Sequence, residues 1–232
     1  MKLFKITALS FVFVTSAASL STMAAETARI MVKGSIVPTA CSISVDGSVD
    51  FGHLTENELK GKTQEQNAYQ LGYKPVNFNI QCDAAAKVAL SAQADNLAAG
   101  SATIGVTSHV SDTEKSTHTK VGQLASLGQI DGKDMGYFTA SLASATLDST
   151  SADLISSQDG GTSWQAISEA DNHVMYQDGS VFYGWGKGSS PREATNIAGV
   201  INISAAIVPE LVENMKDVIR FNTNTTLSLQ YL

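Results

Sequence analysis

Wherever the chain has a hydrophobic period, the period is two. The clearest case is the last stretch, Phe221–Leu232, where Leu227, Leu229 and Tyr231 share one face and Thr226, Ser228 and Gln230 the other. This is the pattern of a strand with one side buried, and its threonines favour the extended form. A terminus frays unless it is tied down, so an apolar face reaching the second-last residue needs a cover, either this chain's own sheet or another protein. The same alternation runs through Ala28–Ile36, with Ile30 and Val32 on the apolar side until Pro38 ends it, and through Val76, Phe78, Ile80 and Cys82. Cys41–Val45, Val88–Ala92, Gly136–Leu142 and Ile197–Val208 read as further strands, the last with Ile201, Ile203, Ala205 and Ile207 on one side. Turns are expected at Asp46–Gly47 and across Gln177–Ser180, the latter closing a hairpin between Val174–Tyr176 and Val181–Tyr183. Residues 53–70 read as a polar loop with one helical turn, 95–105 and 112–120 as surface loops, and 144–157 as a mobile or weakly ordered connection. The expected class is all-β.

Residues 1–24 stand apart as an address rather than a fold. Lys2 and Lys5 precede an apolar centre, Ile6–Val14, and a small-residue end, Thr15–Ala25, which are the three parts of a secretory signal. Cleavage is expected after Ala24, with Ala25 the second choice, and the apolar run is short of the roughly 20 residues that span a bilayer. The mature chain, 25–232, is then a single exported domain. A net charge of -7 with only three arginines among 232 residues excludes a nucleic-acid groove and a polybasic membrane surface, both of which need clustered positive charge. Export makes the cysteines informative: Cys41 and Cys82 are the only two, and in an oxidising compartment they are expected to pair. There is no Cys-x-x-Cys, and His53, His109, His118 and His173 are scattered, so neither a metal site nor a cofactor is expected. Nucleophile elbows, phosphate loops and His-Glu-x-x-His are missing too, and the chain reads as a non-enzyme.

Ile30–Cys41, Asp50-Phe-Gly52, Phe78-Asn-Ile-Gln-Cys82 and the penultimate Tyr231 together resemble a chaperone-usher fimbrial subunit. The chain is most similar to a group of fimbria-like proteins of Gram-negative bacteria whose individual roles are poorly defined. The resemblance is carried by residues 1–92 and the last strand and is thin between them. It implies an immunoglobulin-like (pilin) sandwich with one disulfide, incomplete for want of its last strand and completed by a donor strand from a neighbouring subunit. It also implies a route: a periplasmic fimbrial chaperone holds the subunit, an outer-membrane usher assembles it by donor-strand exchange, and it ends in a fimbrium at the cell surface. There it would be a structural or tip-associated component, with neighbouring fimbrial subunits as partners and, where it contributes to adhesion, a host glycan or protein. By the same resemblance Ile30 and Val32 fall in the donor-strand segment. Leu227, Leu229 and Tyr231 fall on the strand that lines the groove and meets the chaperone.

The middle of the chain carries two further signals. Ser157-Gln-Asp-Gly-Gly-Thr-Ser-Trp164 matches the Ser-x-Asp-x-Gly-x-Ser/Thr-Trp turn that recurs in sialidases. It occurs once, in a chain too short for a six-bladed propeller, and reads as a structural turn. Tyr183-Gly-Trp-Gly186 sets aromatics beside glycines. One reading is a core hairpin; the other is a sugar platform of Trp164, Tyr183 and Trp185, which carries the rival function of a self-contained exported carbohydrate-binding module.

Overall fold

The structure, a computed structural model, describes residues 39–98, 104–167, 173–213 and 218–232, together with Met31 and Lys33. The chain divides into Met1–Val37 and Pro38–Leu232, and every element below belongs to the second unit. The secretory signal and, apart from Met31 and Lys33, the strand expected over Ala28–Ile36, with Ile30 and Val32 in it, fall outside the described residues.

Short-range chemistry sets the early punctuation. β1 (Cys41–Val45) ends at the expected turn, where Gly47 takes φ +76°, a region open to glycine. α1 (Glu56–Lys60) starts at a reciprocal capping box: Thr55 Oγ1 accepts the Glu58 N–H at 3.2 Å, and the Glu58 carboxylate accepts the Thr55 N–H at 2.7 Å. β2 (Ala68–Ala86) is long, and one extra residue, Leu71, is accommodated where Gly72 takes φ +81° and the register against its neighbour shifts. Beyond that bulge Tyr69 and Leu71 turn into a second small core with Leu59, Phe138 and Val212.

β3 (Val88–Ala94) follows after Lys87 alone, so the chain changes sheets there. The remaining long elements are β4 (Val106–His109), β5 (Lys115–His118), β6 (Gly136–Leu147), β7 (Asp153–Ser157), β8 (Phe182–Lys187), β9 (Ala194–Ile207), α2 (Pro209–Glu213) and β10 (Thr225–Tyr231). They build two antiparallel sheets, one ordered β1-β2-β9-β6 and the other β7-β8-β3-β10. This all-β arrangement with one disulfide is consistent with an immunoglobulin-like sandwich. Phe78, Ile80, Leu90, Leu142, Leu147, Trp185, Ile197 and Ile201 fill the space between the sheets. Gly199 is part of that packing: a Cβ there would stand 2.5 Å from Phe78 Cζ, so only glycine lets the ring lie against β9 before it meets Trp185, 5.7 Å away between centroids.

The middle of the chain departs from expectation in three places. Residues 112–120, expected as a surface loop, include β5, which pairs with β4. The β4–β5 hairpin lies over the first sheet with Val106 buried against Tyr137 and Ala206 and otherwise through polar contacts, the Ser108 and Thr139 hydroxyls 2.6 Å apart and the Asn202 side-chain amide donating to Val110 O at 2.9 Å. A hydroxyl-lined contact leaves no hydrophobic alternation to read. Residues 144–157, expected as a weakly ordered connection, are instead β6, a tight turn at Asp148–Ser149 with φ +47° and +68°, and β7. The hairpin expected across Gln177–Ser180 does not pair. Val174 bridges Ser141 and Asp178 bridges Gln93, so the segment crosses from one sheet to the other, and Gln177 is buried with its amide donating to Gln123 O and Phe138 O.

The disulfide links Cys41 of β1 to Cys82 of β2, 41 residues apart. Replacing both cysteines by alanine is expected to cost about 2–4 kcal/mol, the loop-closure entropy returned to the unfolded chain, read as a lowered urea midpoint with an m-value that rises as the unfolded chain expands.

Candidate functional site

β1 and β10 are the outermost strands of their sheets on the same side of the molecule, because each borders one of the two strands joined at Lys87: β1 pairs with β2, and β10 with β3. Among the described residues neither has a partner on its outer edge. The ladders fix which groups that edge presents. Leu232 N–H donates to Lys87 O at 3.1 Å and Asp95 N–H to Asn224 O at 3.0 Å. The even-numbered residues of β10 therefore bond to β3, and by antiparallel alternation the backbone N–H and C=O of Thr225, Leu227, Leu229 and Tyr231 point outward. In β1, Asp46 N–H donates to Asn77 O and Asp83 N–H to Ala40 O, both at 2.9 Å, so Cys41, Ile43 and Val45 point outward in the same way. Side chains follow suit. Cys41, Ile43, Leu227 and Leu229 pack against the main core yet remain only partly buried, and Val45 is exposed. The seam between the strands thus offers a backbone edge and an apolar floor, the two things an added strand uses.

Tyr231 spans one end of the seam. Its phenol oxygen accepts the Cys41 N–H at 2.7 Å, and the hydroxyl lies 3.5 Å from Cys41 O, to which it donates. The disulfide holds the same residue from the other side, at a pair of facing positions in the β1–β2 ladder. The structure therefore brings Leu227, Leu229 and Tyr231 together with Cys41 and Ile43. Sequence reasoning found the strand at Cys41–Val45 but not its place as the opposite lip. The alternation in residues 41–45 marks a strand and says nothing of what it faces across a gap.

The three aromatics of the sugar platform do not meet, which corrects that expectation. Tyr183 and Trp185 are each 2% exposed and sit between the sheets. The Tyr183 phenol oxygen accepts the Tyr176 N–H at 2.9 Å, and burial raises the phenol's pKa. Trp164 lies on the opposite face of β8, its ring over Gly184, where a Cβ would come within 3.0 Å of Cζ3. Neighbours on a strand point to opposite faces, so a ring over position 184 cannot join rings at 183 and 185.

Residues 157–164 form the expected turn. Ser157 Oγ donates to Asp159 Oδ1 at 2.7 Å, Ser163 N–H donates to the same oxygen at 2.9 Å, and Trp164 Nε1–H donates to Gly161 O at 3.0 Å. The bonds that Ser163 donates from its hydroxyl and its N–H, and then the one from Ser157, hold the Asp159 carboxyl down at about 2. The turn also touches the end of the chain: Gly161, at φ +92°, lies so close to Leu232 that a Cβ would stand 3.3 Å from its Cδ2.

Among the described residues no group of His, Cys, Asp and Glu could hold a metal ion, and no helix is long and apolar enough to cross a membrane. Residues 30–139, just under half of the chain, match the model of a family described as a protein of unknown function (DUF1120). That match reaches from before β1 into the start of β6 and does not include β10. No curated protein and no solved structure matches significantly.

Two measurements follow. Tyr231→Phe removes the contacts with Cys41, and amide hydrogen exchange at Cys41 is expected to quicken about tenfold while global stability falls by less than about 1.5 kcal/mol. Asp159 is ionised in the folded chain down to about pH 2, whereas an unfolded aspartate protonates near 3.9. Its contribution is therefore complete above about pH 4 and lost as the pH falls towards 2. Asp159→Asn is expected to flatten the fall of the melting temperature over that window and leave its slope above pH 5 unchanged.

Proposed function

We propose that this chain is a structural or tip-associated subunit of a surface fimbria, carried by a periplasmic chaperone and assembled at an outer-membrane usher by donor-strand exchange. The observation that carries the reading is the half-covered seam: two outermost strands, β1 and β10, with apolar side chains between them and outward-facing backbone groups on both lips. An extended segment of alternating apolar residues completes such a seam in two ways at once. Its backbone takes up the free edge of β10, and every second side chain covers Leu227 or Leu229. Left open, the same surface is an aggregation hazard, which gives a chaperone its task. The fimbria-like residues of the sequence support the same reading, with Ile30 and Val32 as the donated apolar pair. Chemistry of bond-making has no part in it.

The rival, a self-contained carbohydrate-binding module built on Trp164, Tyr183 and Trp185, draws no support from the placement of those rings. The test is periplasmic co-expression with and without a fimbrial chaperone, followed by size-exclusion chromatography. A one-to-one chaperone complex is expected, and Leu227→Ser with Leu229→Ser is expected to abolish it; alone, the chain is expected to aggregate or polymerise. A stable monomer indifferent to the chaperone would overturn the proposal.

A further inference from the structure

The outer face of the first sheet is divided in two. The β4–β5 hairpin roofs one half, held by the bond from Asn202 to Val110 O and by His109 N–H donating to Ser204 Oγ at 3.1 Å. The roof ends at Asn202. Just past it, Val200 and Ala198 floor an open depression of about 380 Å³, walled by Asn77 and Asn79 of β2 and by Ser144 and Thr146 of β6, with Asp46 at its margin. Two backbone features shape it. β6 carries a bulge between Leu142 and Ser144, and Gly199 draws β9 down onto Phe78.

The lining selects among ligand classes. Its only charge is the Asp46 carboxylate and no Lys or Arg lines it, so a phosphate, sulfate or acidic sugar would meet repulsion and no counter-charge. A wholly apolar ligand would gain the floor of Ala198 and Val200 but leave the walls' amides and hydroxyls stripped of water and unpaired. What remains is an uncharged molecule with one apolar face and a rim of hydroxyls. Asn77 and Ser144 are exposed, while the Asn79 side-chain oxygen is already fixed by the Asn196 amide at 3.1 Å, leaving its NH₂ to donate. Amides supply donors and acceptors together, and a carboxylate accepts from paired hydroxyls. The volume is at the small end of ligand pockets, roughly 300–1,000 Å³.

We propose that this depression binds a neutral saccharide, its ring face on Ala198 and Val200 and its hydroxyls on Asn77, Asn79, Ser144 and Asp46. The site shares no residue with β1 or β10 and stands or falls separately from strand donation.

Saturation-transfer NMR on the full chain tests it, in whichever soluble form is recovered, with any chaperone alone as the blank. The probes are the methyl glycosides of glucose, galactose, mannose, N-acetylglucosamine and N-acetylgalactosamine, with N-acetylneuraminate as the anionic comparison. At least one neutral glycoside is expected to receive saturation and N-acetylneuraminate is not. Asn77→Ala with Ser144→Ala is expected to weaken binding about tenfold, as for two neutral hydrogen bonds, and Ala198→Tyr to fill the floor and abolish it. Trp164→Ala should leave it unchanged. Circular dichroism confirms that each variant is folded; Asn77 and Ser144 are exposed, and a wild-type melting temperature is expected of their double variant. Silence from all five neutral glycosides on the folded wild-type chain overturns the proposal. So does a signal that survives both groove variants, or a preference for the acidic sugar.

Discussion

A strand that pairs on one side only must still settle the polar groups on its other side. That constraint bears on β10, which among the described residues is the edge of its sheet. Among the contacts that hold it in place are the ladder to β3, the Thr225 hydroxyl on Gln177, the phenol of Tyr231 on Cys41 and, just past its end, Leu232 against the turn at Gly161. None of these contacts covers Leu227 and Leu229, which lean on the core and stay only partly buried. Among the described residues the sandwich is thus well anchored at the end of β10 and thinly covered along it.

Polar groups do much of the organising away from the seam. Gln177 is buried and reaches in three directions, donating to Gln123 O and Phe138 O and accepting from Thr225 Oγ1 at 2.7 Å. Through that last bond the crossing segment 174–178 is tied to the first residue of β10. Ser116, His118 and Gln123 continue the network, with Gln123 donating to Val174 O. A satisfied interior of this kind is specific about which neighbour each segment accepts, because a misplaced strand would strand a buried amide. It is also the reason that the hairpin expected at Gln177–Ser180 gives way to a crossing: burying Gln177 with three partners outweighs pairing two short apolar triplets.

How much of this could be read from the sequence depends on what covers each element. Where a strand faces the main core, its alternation is plain, as in Phe78, Ile80 and Cys82 or Leu227 and Leu229, and the elements and the disulfide were legible. Where a segment packs through hydroxyls and amides, as β4 and β5 do over Thr139, Asn202 and Ser204, polarity reads as surface and the element disappears. The aromatic platform failed for another reason. Tyr183 and Trp185 are two apart and so share a face, but whether that face is core or solvent depends on which sheet covers β8, which no local pattern contains. The site was legible by one lip only: the terminal strand announced itself, while its counterpart β1 looked like any other short strand.

The two sides of the sandwich are treated differently, and the difference bears on what each is for. On the side away from the seam the outermost pieces are two residues long, Thr150–Ser151 beyond β6 and Gln165–Ala166 beyond β7. Edges that short offer little to an incoming strand, a common way of keeping sheets from joining. On the seam side the edges are five and seven residues long, with Ile43, Val45, Leu227 and Leu229 along them. Both edges belong to one fold, and only one of them is blunted. A protein guarding against strand addition in general would shorten both; among the described residues the longer, more apolar pair has no such cover, which is what the strand-donation proposal requires. Tyr231 then gives that opening a closed end, since the groups of Cys41 that a strand would need there are already taken.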